Sequence, residues 1–251
     1  MHNVQLQESG GYRYVRNNAF GSAGVAAESG FTIRRVRLRR PQPLREGFAT
    51  VHRFLQSLDR PLSAFCACEL RCPAPLSDRG LQEFNRRYLG MLDRWGLMRD
   101  GASPLARSEV CPAVTPPGSP AFHAFCVTVP QPLSGSGSFV TSGSNGGMPT
   151  LVPTDTSDSW SSARVAPALL RTKAEQVLVE LEARMRALGF TWRHATATQL
   201  YTVHDFHPFM ADVIERRGAA PGGLTWHLAR PPLLGVDYQM DVRGVAMETV
   251  I

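Results

Sequence analysis

The sequence predicts an α+β protein built as two tandem units, each a mostly antiparallel sheet with two helices on one face. Three observations predict it. The 251 residues are 43% apolar and 19% charged, which supplies a packed core and excludes a disordered or collagen-like chain. That length suits one large domain or two small ones. The order of elements after residue 46 (helix, strand, helix, strand, strand) recurs after residue 163, which gives a repeat of about 125 residues.

Residues 31–40 alternate as a strand, with Ile33, Arg35, Arg37 and Arg39 on one face and Val36 and Leu38 on the other. Pro41 and Pro43 end it. Phe48, Val51, Phe54, Leu55 and Leu58 then recur at helical spacing over 46–58. The apolar run 63–71 is bounded by prolines and reads as a buried strand, in which Glu69 and Arg71 share a face and can pair. Ser77 or Asp78 caps a second helix, whose stripe runs through Leu81, Phe84, Tyr88, Leu92 and Trp95. Residues 106–110 and 122–129 read as two further strands.

Residues 134–147 are Ser or Gly at ten of fourteen positions, a linker by composition. Within them Phe139-Val140 can begin a strand and Asn145-Gly146 can form a hairpin turn. The clearest helix spans 163–188, with Val165, Leu169, Val177, Leu181 and Met185 on its stripe and Gly189 ending it. Residues 194–201, 224–228 and 236–245 read as strands, and 205–217 as a short helix. Glu69-Leu70-Arg71 aligns with Gln199-Leu200-Tyr201, 130 residues later. The division is drawn at 1–132 and 133–251.

Apolar runs are too short to cross a membrane, and the first residues lack the basic and apolar segments of a signal peptide. Lys and Arg number 27 against 21 Asp and Glu, a net charge of +6, and Arg supplies nearly all the excess. That balance favours an anionic partner: a carboxylate, a phosphate or RNA. Five cysteines, at 66, 68, 72, 111 and 126, are an odd set, which argues for free thiols and a cytoplasmic chain. Cys66-x-Cys68-x3-Cys72 lacks zinc spacing. His204 and His207, with His194 and His227, place no ligand pair on one helix face, so neither metal nor cofactor is expected.

Taken in order, Ser22-Ala-Gly-Val25, the helix at 46–58, Leu81-Gln-Glu-Phe-Asn-Arg-Arg-Tyr88 and Leu105-Ala-Arg-Ser-Glu-Val110 resemble the RidA/YjgF superfamily of reactive-intermediate deaminases, also called L-PSP endoribonuclease-like proteins. The second half is similar through Phe139-Val-Thr-Ser-Gly143, the helix at 168–189, Leu200-Tyr-Thr-Val-His-Asp-Phe206 and Met240-Asp-Val-Arg-Gly-Val-Ala246. The resemblance implies two tandem chorismate-mutase-like domains, with ligand clefts between neighbouring domains. Members usually trimerise, so a fused pair implies a homotrimer.

The resemblance also implies the site. Arg107 matches the family's arginine, whose planar fork suits a substrate carboxylate. Ser142-Gly143 matches its Ser-Gly, and Asp241, before Asp237, its acid on the last strand, a base for water. The first half has Ser22-Ala23 and Phe122-His-Ala-Phe125 where Ser-Gly and the acid belong, and the second half lacks the arginine. One composite cleft is therefore expected, with Arg107 facing Ser142, Gly143 and Asp241. Asn85 and Tyr88, three apart on one helix face, are further substrate-binding candidates or a structural hydrogen bond. His123 can stand for the missing acid, and Cys111 as a nucleophile needs a base that the sequence does not supply.

The activity implied is a cofactor-free hydrolytic deaminase of an enamine or imine acid, such as 2-aminoacrylate or an aminomuconate. Two alternatives stay open. One is a non-catalytic module binding small carboxylates. The other is an RNA binder or endoribonuclease using the arginines of 34–40, although that run is short and lacks interleaved aromatics.

Overall fold

The first part of the alternating arginine-rich segment, through Val36, is covered on both faces, and this organises the molecule. The computed structural model describes residues 3–131, 137–146 and 167–251. Strand β4 (Phe31–Pro43) follows β1 (Val4–Gln7), β2 (Tyr12–Val15) and β3 (Gly24–Ala27). Val36 and Leu38 of β4 enter a core with Phe48, Val51 and Phe84, while Ile33 on the opposite face packs with Tyr12, Cys66 and Ala106. A register shift between Arg37 and Gln42 carries β4 on through Pro41 and Pro43, where an unbroken ladder would have stopped.

Helix α1 (Leu44–Ser57), β5 (Phe65–Arg71), α2 (Asp78–Arg94), β6 (Ala106–Pro112) and β7 (Ala121–Pro130) complete the first half. Ser77 caps α2, its Oγ accepting the Gly80 N–H at 3.3 Å. The second half contains β8 (Phe139–Thr141), α3 (Pro167–Ala187), β9 (Ala197–Thr202), α4 (His207–Phe209) running into a π-helical turn at Met210–Glu215, β10 (Leu224–Arg230), β11 (Tyr238–Gly244) and β12 (Met247–Val250). The helix read over 205–217 is thus broken, with Pro208 in its first turn. Val165 of the long helical stripe, Ser134 and Gly147 lie outside the described residues, as does any strand that would follow the Asn145-Gly146 turn.

The strands join in the order β1-β2-β3-β8-β11-β9-β10-β6-β5-β7-β4-β12. Within it β4-β7-β5-β6 and β8-β11-β9-β10 follow one pattern. In each, the second and third strands in chain order run parallel and the remaining pairs antiparallel. The two runs meet where Ala229 and Arg230 pair with Pro112 and Cys111. The ends are crossed: β3, from the start of the chain, pairs with β8, and β12, from its end, lies parallel to β4. β1, β2, β3 and β12 are each four residues long, too short for an alternation signal.

The arginine run is partly covered: Arg37, Arg39 and Arg40 stay exposed, whereas Arg35 is drawn inward. Arg35 is buried and donates to both oxygens of Glu69, at 2.6 and 2.8 Å, and to Glu248 of β12 at 3.2 Å. The pairing read for Glu69 and Arg71 is the looser one, at 3.9 Å. Among the described residues no helix is long and apolar enough to cross a membrane, all five cysteines are free and buried, and no cluster of potential metal ligands forms.

His123 on β7 and His227 on β10 are both held neutral. Burial, and then the nearby charge of Arg71, pushes them down from 6.5 to about 3 and about 4. In the unfolded chain they take up protons near pH 6.5, whereas the folded protein resists until much lower. Their contribution to stability is therefore complete above pH 6.5 and is lost as the pH falls towards 4. The melting temperature is expected to drop across that window, and to drop less in a His123→Gln/His227→Gln variant, as calorimetry at stepped pH would show.

Candidate active site

Strand parity decides what β6 offers. Ala106, Ser108 and Val110 point between the two halves' sheets, so Arg107 and Glu109 share the other face, beneath α2. The Arg107 guanidinium lies 4.9 Å from the Tyr88 ring centroid and 5.5 Å from that of Phe84. Its Nη2 donates to Asn85 Oδ1 and Glu109 Oε1, both at 2.9 Å. Burial disfavours its charge, but the Glu109 carboxylate together with Tyr88, Cys68 and Cys72 offsets this, and its pKa rises. Two polar atoms of this pair, Arg107 Nη1 and Glu109 Oε2, are buried and have no hydrogen-bond partner among the described residues. Such orphans are costly in a protein interior, which marks this pair as built for something besides packing.

The second half supplies the facing wall. Ser142 Oγ accepts the Arg107 N–H at 2.9 Å, and the Gly143 N–H donates to the Arg107 carbonyl at 3.2 Å. Both residues border, with Arg107, Glu109 and Asn85, a cleft of about 610 Å³ between the halves. Its far side is α3, through Glu180 and Arg184, and Gln239 of β11 closes one end. Arg184 Nη1 donates to the Ser142 carbonyl at 3.0 Å.

Gly143 is required by contact. A Cβ there would stand 2.5 Å from Gln239 Nε2, the group that donates to the Glu109 carbonyl at 3.2 Å. Gly143→Ala is expected to displace Gln239 and so lower the melting temperature by a few degrees. Adding Gln239→Ala should restore packing, so the double variant should melt higher than Gly143→Ala alone.

The structure thus brings Arg107, Ser142, Gly143 and Asn85 together in one cleft within one chain. It does not bring Asp241 there. Asp241 shares its face of β11 with Gln239, but two residues farther along it sits in a separate cavity of about 10 Å³ between the sheets, with Ser108 and Glu69. Its Oδ1 accepts from Gln199 at 2.9 Å, and burial followed by repulsion from Glu69 raises its pKa. Tyr88 lies under the guanidinium, fully buried, with its hydroxyl 3.3 Å from Cys68 Sγ. It props Arg107 and does not line the cleft. His123 and Cys111 are also outside the cleft lining, and His204 faces Asp237 at 3.4 Å. Sequence reasoning missed Glu109, Glu180, Arg184 and Gln239. The first two carried a signal: Glu109 alternates with Arg107, and Glu180 stands four residues before Arg184 on a helix.

Fold and site together define an α+β protein whose two halves jointly enclose a cleft holding both arginines and carboxylates. A family model described as "2-aminomuconate deaminase CnbZ" matches residues 4–249, and the chain belongs to that family. A 2-amino-5-chloromuconate deaminase from Comamonas testosteroni is 41% identical over 244 residues, covering 96% of each chain. Two solved structures are more distantly similar. A Thermotoga maritima protein provisionally named as an endoribonuclease is 18% identical over 53% of this chain and 90% of its own, with a TM-score of 0.32. A chorismatase is 10% identical over 89% of this chain and 77% of its own, with a TM-score of 0.46.

Proposed function

We propose that this protein is a deaminase of an aminomuconate-type acid, working hydrolytically and without a cofactor in the cleft between its halves. One observation carries the reading: Arg107 and Glu109 border the cleft side by side, each with a buried polar atom (Nη1 and Oε2) that has no hydrogen-bond partner among the described residues, in a chain of the aminomuconate deaminase family. Arg107, steadied by Asn85 and by the Tyr88 ring, takes the substrate carboxylate beside the amine. Ser142 and Gly143 hold the Arg107 backbone and shape the wall opposite. Glu109 moves the protons, the role first assigned to Asp241.

The steps balance as follows. Glu109, ion-paired with Arg107 in the resting cleft, takes up a proton from solvent as the substrate carboxylate displaces it from the guanidinium. It gives that proton to the enamine carbon next to the C–N carbon, so that the double bond shifts to form an iminium. Water adds to the iminium carbon, and its proton passes to the Glu109 carboxylate. The amine takes up that proton, the C–N bond breaks as the carbinolamine hydroxyl returns its own proton to the Glu109 carboxylate, ammonia leaves, a ketone remains and the carboxyl is restored. One water is consumed for each ammonia released.

The repeated strand order supports two tandem RidA-like domains, and the homotrimer implied by that resemblance belongs to the same reading. Ammonia release from 2-aminomuconate by the purified protein, above the spontaneous rate and matched to loss of substrate absorbance, tests the activity. No release above the spontaneous rate ends it.

A further inference from the structure

We infer that Arg184 is the specificity-determining residue for a second substrate carboxylate, so that the cleft selects a dicarboxylate by holding one end on each half of the molecule. The inference rests on the deaminase reading for its substrate and goes beyond it in assigning the far end. Arg184 comes from α3 in the second half and Arg107 from β6 in the first, and both border the cleft. Ser142 links them: its Oγ takes the Arg107 N–H and its carbonyl takes Arg184 Nη1. The Arg107 backbone and the Arg184 guanidinium therefore meet at one residue, and both arginines border a single cleft of a size that takes a short diacid.

The surroundings of Arg184 fit a ligand carboxylate. The guanidinium is fixed in plane by the carbonyls of Ser142 and Gly143, at 3.0 and 3.4 Å. Neutral carbonyls orient it but do not neutralise it. Its one charged partner, Glu180, lies four residues earlier on the same helix, at 3.3 Å. Glu180 is 39% exposed against 14% for Arg184, and exposed pairs of that spacing are weak. Glu180 is also engaged by the Ser144 hydroxyl. Nε of Arg184 donates to no described residue. Burial accordingly lowers the pKa of Arg184, with Glu180 only partly opposing. A buried arginine so weakly compensated gains from a carboxylate supplied by the substrate.

The test is binding without turnover. Muconate and sorbate are six-carbon dienes with two carboxylates and one. The wild-type protein is expected to bind muconate roughly thirtyfold more tightly than sorbate by titration calorimetry. Arg184→Met should remove that preference and leave sorbate affinity unchanged. Arg107→Met should weaken both. Arg184→Lys keeps the charge and loses the fork; it should retain part of the preference, and it serves alone if the Met variant does not fold. Equal loss of both ligands in Arg184→Met, or an undiminished muconate preference in either Arg184 variant, would overturn the assignment. Preferential muconate binding by a protein that releases no ammonia from 2-aminomuconate sinks the deaminase reading and keeps this one. Turnover with no preference between the two acids does the reverse.

Discussion

Arg107→Lys is expected to reduce kcat/KM for 2-aminomuconate by roughly a hundredfold, or about 3 kcal/mol, with the fold retained. The size follows from how many tasks the guanidinium performs at once. Its Nη2 is spent on Asn85 and Glu109, its plane lies over Tyr88, and Nη1 has no hydrogen-bond partner among the described residues. An ammonium on a flexible stem can keep the ion pair with Glu109 or reach for substrate, but it cannot present a planar fork to both. Thermal melting distinguishes a lost anchor from a lost fold. A lysine variant that turns over like the wild type would place the carboxylate anchor elsewhere.

Glu109→Gln should act differently. The amide keeps the size of the carboxyl and can still accept from Arg107, but it cannot pass a proton to carbon or take one from water. Turnover is expected to fall by about 100- to 10,000-fold, the usual contribution of a positioned acid–base group, with muconate affinity nearly unchanged. Stopped-assay ammonia release and calorimetric binding read the two effects separately. Unchanged turnover would shift the proton-transfer role to Glu180, the other carboxylate of the cleft.

These contrasting outcomes rest on residues that differ in how plainly the sequence announces them. The alternation of 31–40, the stripes of the long helices and the order of elements come from local periodicity, and that is why β4, α1, α2 and α3 were legible. Arg107 and Ser142-Gly143 were legible through motif resemblance. Asp241 was misplaced because a strand position fixes a face but not a depth: Gln239 and Asp241 point the same way, yet only the first reaches the cleft. The four-residue spacing shows only that Arg184 can pair with Glu180; its place in the cleft arises from the packing of α3 beside a turn more than forty residues earlier, a relation that no spacing rule contains. The partnership of Arg35 with Glu69 was hidden for the same reason. Cross-strand neighbours in a reordered sheet are not neighbours in sequence.

The crossed chain ends bear on how the protein can be built and lost. β3 leaves the first half to pair with β8, and β12 returns from the second to lie along β4. Neither half therefore finishes its own sheet, and each shields the strand edge of the other from stray pairing. Cutting a few residues from the carboxyl end uncovers the opposite half, where Arg35 loses Glu248 and β4 loses its outer neighbour. Ribosomal synthesis has the same constraint in time: β1, β2 and β3 can pair with one another, but the far edge of β3 stays open until β8 has been made. Folding, proteolytic resistance and gene rearrangement are consequently properties of the whole chain, and a recombination event that carries off one half takes with it the border of the other.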